Sequence, residues 1–351
     1  MASKKIVTIR DVARDVGVSR QTVSRVINKG PNVKAAVRDK VTEAIERLGY
    51  VPNLSAKRMR SARSYLILAI NDRQRTYDNW RAGRGNDWVD QMLFGGMTEC
   101  EQHGYHMVFE LIDTDPLLAQ AQLSKVVSEL RPDGVILTPP HSENPALSQL
   151  LAERDIACAR IGQGGDGACI DVCMDEVGAG RTATNHLAEL GHARIAYLAG
   201  SPEYGNSQLR LVGYREALAA HGLAIDEQLV GKGDFQFDTA RKVARAWFTA
   251  PDRPTAIVAD NDQMAFAVLH TADRLQLKVP QDLSLISFED TPGVGLSVPP
   301  MTAIRQPTAA MIARACHGLI EASSGSASNG RYELPFDFIE RASTGPLGGA
   351  D

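Results

Sequence analysis

VSRQTVSRVIN, residues 18–28, is the stretch from which the rest of the chain is read. Ser19 is a capping residue placed ahead of Val23, Val26 and Ile27, which share one side of a helix. Arg20 and Ser24, like Gln21 and Arg25, stand four apart and face away from that apolar stripe. One face therefore belongs to a core, and the other is offered to something anionic. Just upstream, Ile9, Val12, Ala13 and Val16 fall at i, i+3, i+4 and i+7, with Thr8 placed to cap that helix and Gly17 to stop it. Two short helices joined by a tight turn at Gly17 and Val18 predict a helix-turn-helix whose second member is the reading helix. Arg suits guanine O6 and N7 in the major groove, and Gln suits adenine N6 and N7. Ser19, Thr22 and Asn28 suit phosphate oxygens, which set register without reading sequence.

Charge agrees with this order of elements. The net charge of −4 hides an asymmetry, because residues 1–64 hold 15 Lys or Arg against 5 Asp or Glu, leaving the remainder strongly acidic. A basic head on an acidic body marks a nucleic-acid-binding module joined to something else, or else a solvated basic face. The chain is too long for one ordinary domain, and its 44% hydrophobic and 23% charged residues are those of a soluble protein. No apolar run approaches the roughly 18 residues of a membrane span. The N-terminal MASKKIVTIRD lacks the apolar core of a signal peptide, so a cytoplasmic location is expected. Cysteines 100, 158, 169, 173 and 316 form no CxxC pair and read as reduced core thiols, with neither a disulfide framework nor a zinc site.

A third helix is predicted by Val37, Val41, Ala44, Ile45 and Leu48, with Gly49 as its stop. Tyr50-Val51-Pro52-Asn53 follows, where Pro52 breaks the helix and Asn53 can cap a short new one, LSAKRMRS, carrying Lys57, Arg58 and Arg60. A helix this short is marginal alone, below the roughly 12 residues at which isolated helices persist, and should form only against a partner.

TIRDVARDVGVSRQTVSRVIN, a third helix ending ERLGYVPN, and the segment NLSAKRMRS together resemble the DNA-binding head of the lactose-repressor (LacI) family of bacterial transcription regulators. The resemblance places Arg20, Gln21 and Arg25 at base-reading positions, with Ser19, Thr22, Ser24, Asn28 and Tyr50 among the DNA contacts. It assigns Asn53, Ala56 and Met59 to a hinge helix that folds in the minor groove. Met59 stands where relatives usually place a leucine wedge, and Lys34 where a serine cap is common. The implied boundaries are a head over 1–52, a hinge over 53–63 and a body over 64–345.

In the body, YLILAI, YHMVFELI, DGVILT, IACARI, RIAYLAG, TAIVAD and DLSLISF read as buried strands, with PLLAQAQLSKVVSEL and RLVGYREALAAHG as intervening helices. Repeated βα units predict an α/β fold with parallel sheet covered on both faces. The length favours two doubly wound lobes with a ligand cleft between them, beyond the carboxyl ends of the strands. SSGSASNG, residues 323–330, reads as a surface loop before one last strand, YELPFDFIE.

The body too resembles the same family, in its effector-binding core related to periplasmic sugar-binding proteins, through NSQLRLVGYREAL, IVADNDQMAFAVL, LISFEDTP and PPMTAIRQP. That implies a trio, Arg210, Asn261 and Glu289, on effector hydroxyls, with Phe235 at a stacking position and Gln306 on the return crossover. An Arg fork, an amide and a carboxylate beside an aromatic face suit a sugar ring. The alternative for Arg210 and Glu289 is a salt-bridged contact between lobes with no ligand. Many relatives carry Asp where Glu289 stands, and the longer side chain intrudes further. NDRQRTYDNWRAGRGNDW, residues 71–88, replaces a short apolar loop after the first strand and brings Trp80, Trp88 and four arginines to the cleft mouth. It is read as a loop forming part of the effector pocket through a stacking Trp, or as a lid or a partner surface.

Other motifs carry less. Gly162, Gly164 and Gly167 spell GxGxxG, but CIDVCM after them reads as a strand and implies no dinucleotide site. His103 and His106 flank a Gly-Tyr turn and are expected at a helix end, without carboxylate or thiol neighbours to make a metal site. No nucleophile elbow, Walker loop or paired catalytic carboxylates are present, so no enzyme and no cofactor are expected. The expected protein is a homodimeric or tetrameric repressor of carbohydrate-utilisation genes on a near-palindromic double-stranded DNA operator. Its control falls to a small effector, a sugar rather than a purine by the same resemblance. The rival reading is a soluble carbohydrate-binding protein or sensor without operator function.

Overall fold

The computed structural model describes residues 7–27, 30–50, 63–85, 87–162, 168–325 and 329–348. The chain divides into two compact units, Met1–Ser64 and Tyr65–Asp351.

The first unit is the expected helical head. Helix α1 (Ile9–Val16) opens on a capping box in which the Thr8 amide donates to Asp11 Oδ2 at 2.9 Å. Gly17 ends it in the left-handed region at φ 71°, a conformation glycine adopts without a Cβ clash. Helix α2 (Arg20–Ile27) starts where Ser19 Oγ accepts from the Thr22 amide at 3.0 Å. Helix α3 (Ala35–Leu48) has Lys34 at its N-cap with no side-chain cap bond, and it ends at Gly49, φ 63°. The three pack around buried Val12, Ala13, Val23, Val26, Val41 and Ala44, with Ile9, Ile27, Ile45, Leu48 and Tyr50 closing the edge. Full burial of a valine is worth roughly 1.5–3 kcal/mol. A polar replacement of Val12, Val23 or Val41 therefore removes much of what holds so small a unit.

The second unit holds two six-stranded sheets. The first is all parallel, in the order β11-β5-β4-β3-β1-β2. Its strands are β1 (Leu66–Asp72), β2 (His106–Ile112), β3 (Gly134–Leu137), β4 (Ala157–Ile161), β5 (Ile170–Cys173) and β11 (Gly330–Glu333). The second runs β12-β10-β9-β8-β6-β7 and is parallel except for β12. It comprises β6 (Ile195–Ala199), β7 (Val230–Lys232), β8 (Ala256–Ala259), β9 (Ser284–Glu289), β10 (Thr302–Arg305) and β12 (Asp337–Ile339). Central strands such as β1 and β8 are buried along their whole length, as strands covered by helices on both faces must be. The chain passes between lobes three times, after β5, after β10 and after β11.

Two expectations need correction. Residues 71–88 are not a loop. Asp72 caps helix α4 (Arg73–Arg81) by accepting from the Arg75 amide, and α5 (Asp87–Gln102) starts soon after. YELPFDFIE is not one strand but β11 and β12 in different sheets, because Leu334-Pro335-Phe336 carries the chain across. Pro335 supplies no amide to a ladder, and a break there is its ordinary effect. Gly162 is followed by residues outside the described set, 163–167, and then by strand β5 as expected. The centre of SSGSASNG, 326–328, also lies outside it. Among the described residues, no helix is long and apolar enough to cross a membrane.

Candidate functional site

A cleft of about 830 Å³, open mouth included, lies between the two sheets of the second unit. It is built where parallel strands end: Asn71 and Asp72 close β1, Asn261 and Asp262 follow β8, and Glu289 closes β9. Carboxyl ends of parallel strands leave chain free to turn, so side chains from both lobes converge there.

Arg210 is carried by α9 (Gly205–Ala220), which packs closely on α8 (Glu176–Glu189). The close approach depends on Gly180 and Gly213: a Cβ on either would lie about 2 Å from a carbonyl of the facing helix. Contact at that distance brings Glu176 to Arg210. The guanidinium donates from Nε to Glu176 Oε2 at 2.6 Å and from Nη1 to Asp260 Oδ1 at 2.9 Å, with the Phe288 ring 4.6 Å from its centre. Burial pulls the Arg210 pKa down, but Glu176 and Asp260 outweigh it and the net shift is upward. Arg210 therefore stays charged. Its Nη2 has no hydrogen-bond partner among the described residues, although the side chain lines the cleft. A buried charged donor left over in a binding pocket is suited to a ligand oxygen. Arg210 is thus ion-paired within its own lobe, to Glu176 and Asp260, rather than across the lobes as its alternative reading had it, and it keeps a free donor.

Glu289 and Asp290 both adopt positive φ, 94° and 57°, a strained backbone for side-chain-bearing residues. Glu289 lines the cleft, while Asp290 is held by Arg305 at 2.8 Å and Arg341 at 2.6 Å. Burial pushes the Glu289 carboxyl well above the usual carboxylate range, the neighbouring Asp262 adds to this, and Arg210 opposes it. Asp262, the first residue of α11 (Asp262–Arg274), is pushed up to about 7 by burial. Hydrogen bonds from the Ser287 hydroxyl and the Thr291 amide resist that rise. Burial at the floor of the cleft thus favours the protonated form of these two carboxyls, against the opposing charge of Arg210. Asn261 caps α11, accepting from the Met264 amide at 2.9 Å, so only part of its amide remains for a ligand.

Phe235 presents its ring at 5.3 Å from Tyr204 and lies against Gly200, where an added Cβ would fall 2.1 Å from the ring. Trp88 and Gln306 also line the cleft. Trp80 does not: it stands 48% exposed, its ring 6.1 Å from Tyr77. Of the four arginines in residues 71–88, Arg75 reaches across the cleft. It donates to Tyr204 Oη at 3.1 Å and to the Asp234 carbonyl at 2.7 Å, both in the other lobe, with the Phe235 ring 5.4 Å away. Nearby, Arg84 pairs with Asp238 at 2.9 Å. The segment is a clasp between lobes as well as a wall of the cleft. Asp72, Asp87 and Asp262 were unforeseen lining residues. A rule was available for Asp72 and Asp262, since both lie at the carboxyl ends of strands; nothing in the local sequence marks Asp87.

In the head, Arg20, Gln21 and Arg25 are exposed, while Thr22 and Ser24 are half-buried. The Ser19 and Thr22 hydroxyls hydrogen-bond each other at 2.9 Å, so both are partly occupied in holding the helix start. Tyr50 packs at the edge of the head's core. Asn28, Asn53, Ala56 and Met59 lie outside the described residues.

Comparison with known proteins covers both units. Residues 8–53 match the model of bacterial regulatory proteins of the lacI family, and residues 184–344 match a periplasmic binding protein-like domain. The chain is 32% identical over 317 residues to the HTH-type transcriptional regulator CelR of Thermobifida fusca, covering 89% of this chain and 90% of that protein. Among solved structures, a CelR–cellobiose complex aligns with a TM-score of 0.72 at 30% identity over 96% of this chain and 99% of that one. A lac repressor dimer bound to operator and the anti-inducer ONPF aligns with a TM-score of 0.79 at 25% identity over 97% and 100%.

Proposed function

Because the chain belongs to the LacI family of bacterial regulatory proteins, we propose that it is a cytoplasmic, homodimeric repressor whose hold on a near-palindromic operator is set by a small sugar in the cleft. The observation that carries this reading is the cleft itself. The spare Nη2 of Arg210, the carboxyl of Glu289 and the aromatic walls of Trp88 and Phe235 meet in one pocket, on a chain that also bears an Arg/Gln-faced reading helix. A sugar ring uses both aspects, hydroxyls for the polar groups and its C–H face for the rings. Cellobiose is the first sugar to try, since a similar regulator is known in complex with it.

Arg20, Gln21 and Arg25 read bases, and Ser19, Thr22, Ser24, Asn28 and Tyr50 fix register on the backbone. Asn53, Ala56 and Met59 form a hinge in the minor groove, with Met59 as the wedge. Effector binding changes the angle between lobes and thereby the population able to order that hinge. Exposed apolar pairs, Phe94 with Met97 on α5 and Leu296 with Val298 in the other lobe, support self-association. The test is selection of bound duplexes from a random pool, repeated with cellobiose and a panel of other sugars. Enrichment of a two-fold-related site, altered by one sugar, is expected. No duplex affinity at low salt would return the protein to the class of carbohydrate-binding proteins.

A further inference from the structure

Away from the cleft, two helices of the first lobe meet through a compact polar cluster. Glu99 lies on α5 and His103 one turn later, just past its end; His317 and Glu321 are likewise one turn apart on α13 (Thr308–Ser323). Glu99 Oε1 is 3.0 Å from His103 Nε2 and 2.9 Å from His317 Nδ1, and one ligating atom from each of the three residues falls within 4.8 Å of the others. The two imidazoles meet edge to face at 5.5 Å. On the far side of His317, Nε2 lies 3.3 Å from Glu321 Oε1. His103, expected to have no carboxylate neighbour, therefore has one a single turn away.

We propose that Glu99, His103 and His317 form a binding site for a divalent transition-metal ion of the zinc class, with Glu321 orienting His317. Three features carry this. Two neutral imidazole nitrogens and one carboxylate oxygen are the ligand set of open zinc sites, in which solvent takes the fourth position. Ligands 2.0–2.1 Å from such an ion stand about 3.3 Å apart, so small side-chain rotations suffice from the separations present. Glu321 Oε1 stands 3.3 Å from the ring nitrogen of His317 that faces away from the site. When an ion replaces the proton between His317 Nδ1 and Glu99, the Glu321 carboxylate is in place to take the Nε2–H and hold the ring in the tautomer that ligates through Nδ1. Glu99, 17% exposed at its side chain, lies deeper than the histidines at 37% and 40%, which gives the ion a partly dried floor and an open mouth. Bound there, the ion ties α5 to α13.

Neighbouring Cys100 and Cys316 are buried and compete as ligands only if the helices open. The experiment uses the untagged full chain, titrated with zinc and, separately, with cobalt. Expected are one ion per chain, a cobalt spectrum without thiolate charge transfer, and zinc-induced displacement of the His103 Nε2 and His317 Nδ1 nitrogen resonances in the unmutated protein. His103→Gln and His317→Gln should each weaken zinc by at least tenfold. Glu321→Gln should weaken it by roughly tenfold to a hundredfold, as orienting carboxylates do. Melting temperatures in chelator should match the unmutated chain, which separates loss of a ligand from loss of the fold. Unchanged zinc affinity in the His103→Gln/His317→Gln double variant, still resonances, or a thiolate band would overturn the proposal.

Discussion

Arg75 donates from Nη1 to the backbone carbonyl of Asp234 at 2.7 Å and from Nη2 to its carboxylate at 3.2 Å, so one side chain holds the second lobe's loop against the first. Charged hydrogen bonds of this sort are worth roughly 1.5–3 kcal/mol each. Arg75 lines the cleft as well, and its removal both loosens the contact between lobes and opens the wall. Arg75→Ala should weaken the regulating sugar tenfold or more by calorimetry, and Arg75→Lys should recover only part, lacking the fork. Unchanged affinity in Arg75→Ala would show that the clasp is incidental to binding.

Trp88 and Trp80 separate cleanly. Trp88→Ala should reduce sugar affinity at least fivefold, about 1 kcal/mol of aromatic contact, while Trp80→Ala leaves it within error. The reverse order would mean that the segment moves on binding.

Arg210 bonds both Glu176 and Asp260 with one guanidinium. Stripping a buried ion pair of one partner costs roughly 3–5 kcal/mol. Arg210→Met should lose about that much in urea unfolding at neutral pH. Burial already raises the Glu176 pKa, so this acid protonates readily, and the loss should shrink towards pH 4. A loss independent of pH would point to packing alone.

Asp262 gives a second pH signature. Its folded pKa of about 7 exceeds the ordinary 3.8, so the folded state binds the proton more tightly and stability falls as pH rises from 4 to 7. Asp262→Asn removes that dependence and keeps an acceptor for the Thr291 amide. In the sugar-free protein, the variant's stability relative to the unmutated chain should grow over this interval, by about 1.4 kcal/mol per unit at most, and then level off. A flat difference would place the Asp262 pKa near normal.

On DNA, Arg25→Ala should cost roughly 1–3 kcal/mol on the selected operator and almost nothing on unrelated duplex. Equal losses on both would make Arg25 a phosphate contact.

The head was legible almost residue by residue, because Thr8, Gly17, Ser19 and Gly49 act on their immediate neighbours. Strands of the body were legible for a similar reason: a buried parallel strand writes itself as a continuous apolar run. The clasp was not. Arg75 reaches Tyr204 and Asp234, which are 129 and 159 residues away in sequence, and no local pattern encodes a partner at that separation. The helix over 73–81 was missed because its arginines, Asp and Asn resemble loop composition, and its stability comes from the Asp72 cap and contacts with the sheet. Pro335 was in view but misread, since one apolar run served two strands. Among the cleft residues, Arg210, Phe235, Asn261, Glu289 and Gln306 came from resemblance, Asp72 and Asp262 were within reach of the strand-end rule, and Asp87 had to be found by geometry.

The three passages of chain between the lobes also bear on how such a protein can be recombined. Met1–Ser64 is one uninterrupted length, so it can be exchanged between genes as a block. Neither lobe is a length of sequence at all: one needs residues from β1 to β5 together with α13 and β11, the other everything between them and β12. New operators can therefore be acquired by exchanging one contiguous block, whereas new effectors are more readily acquired by point changes within the interleaved lobes.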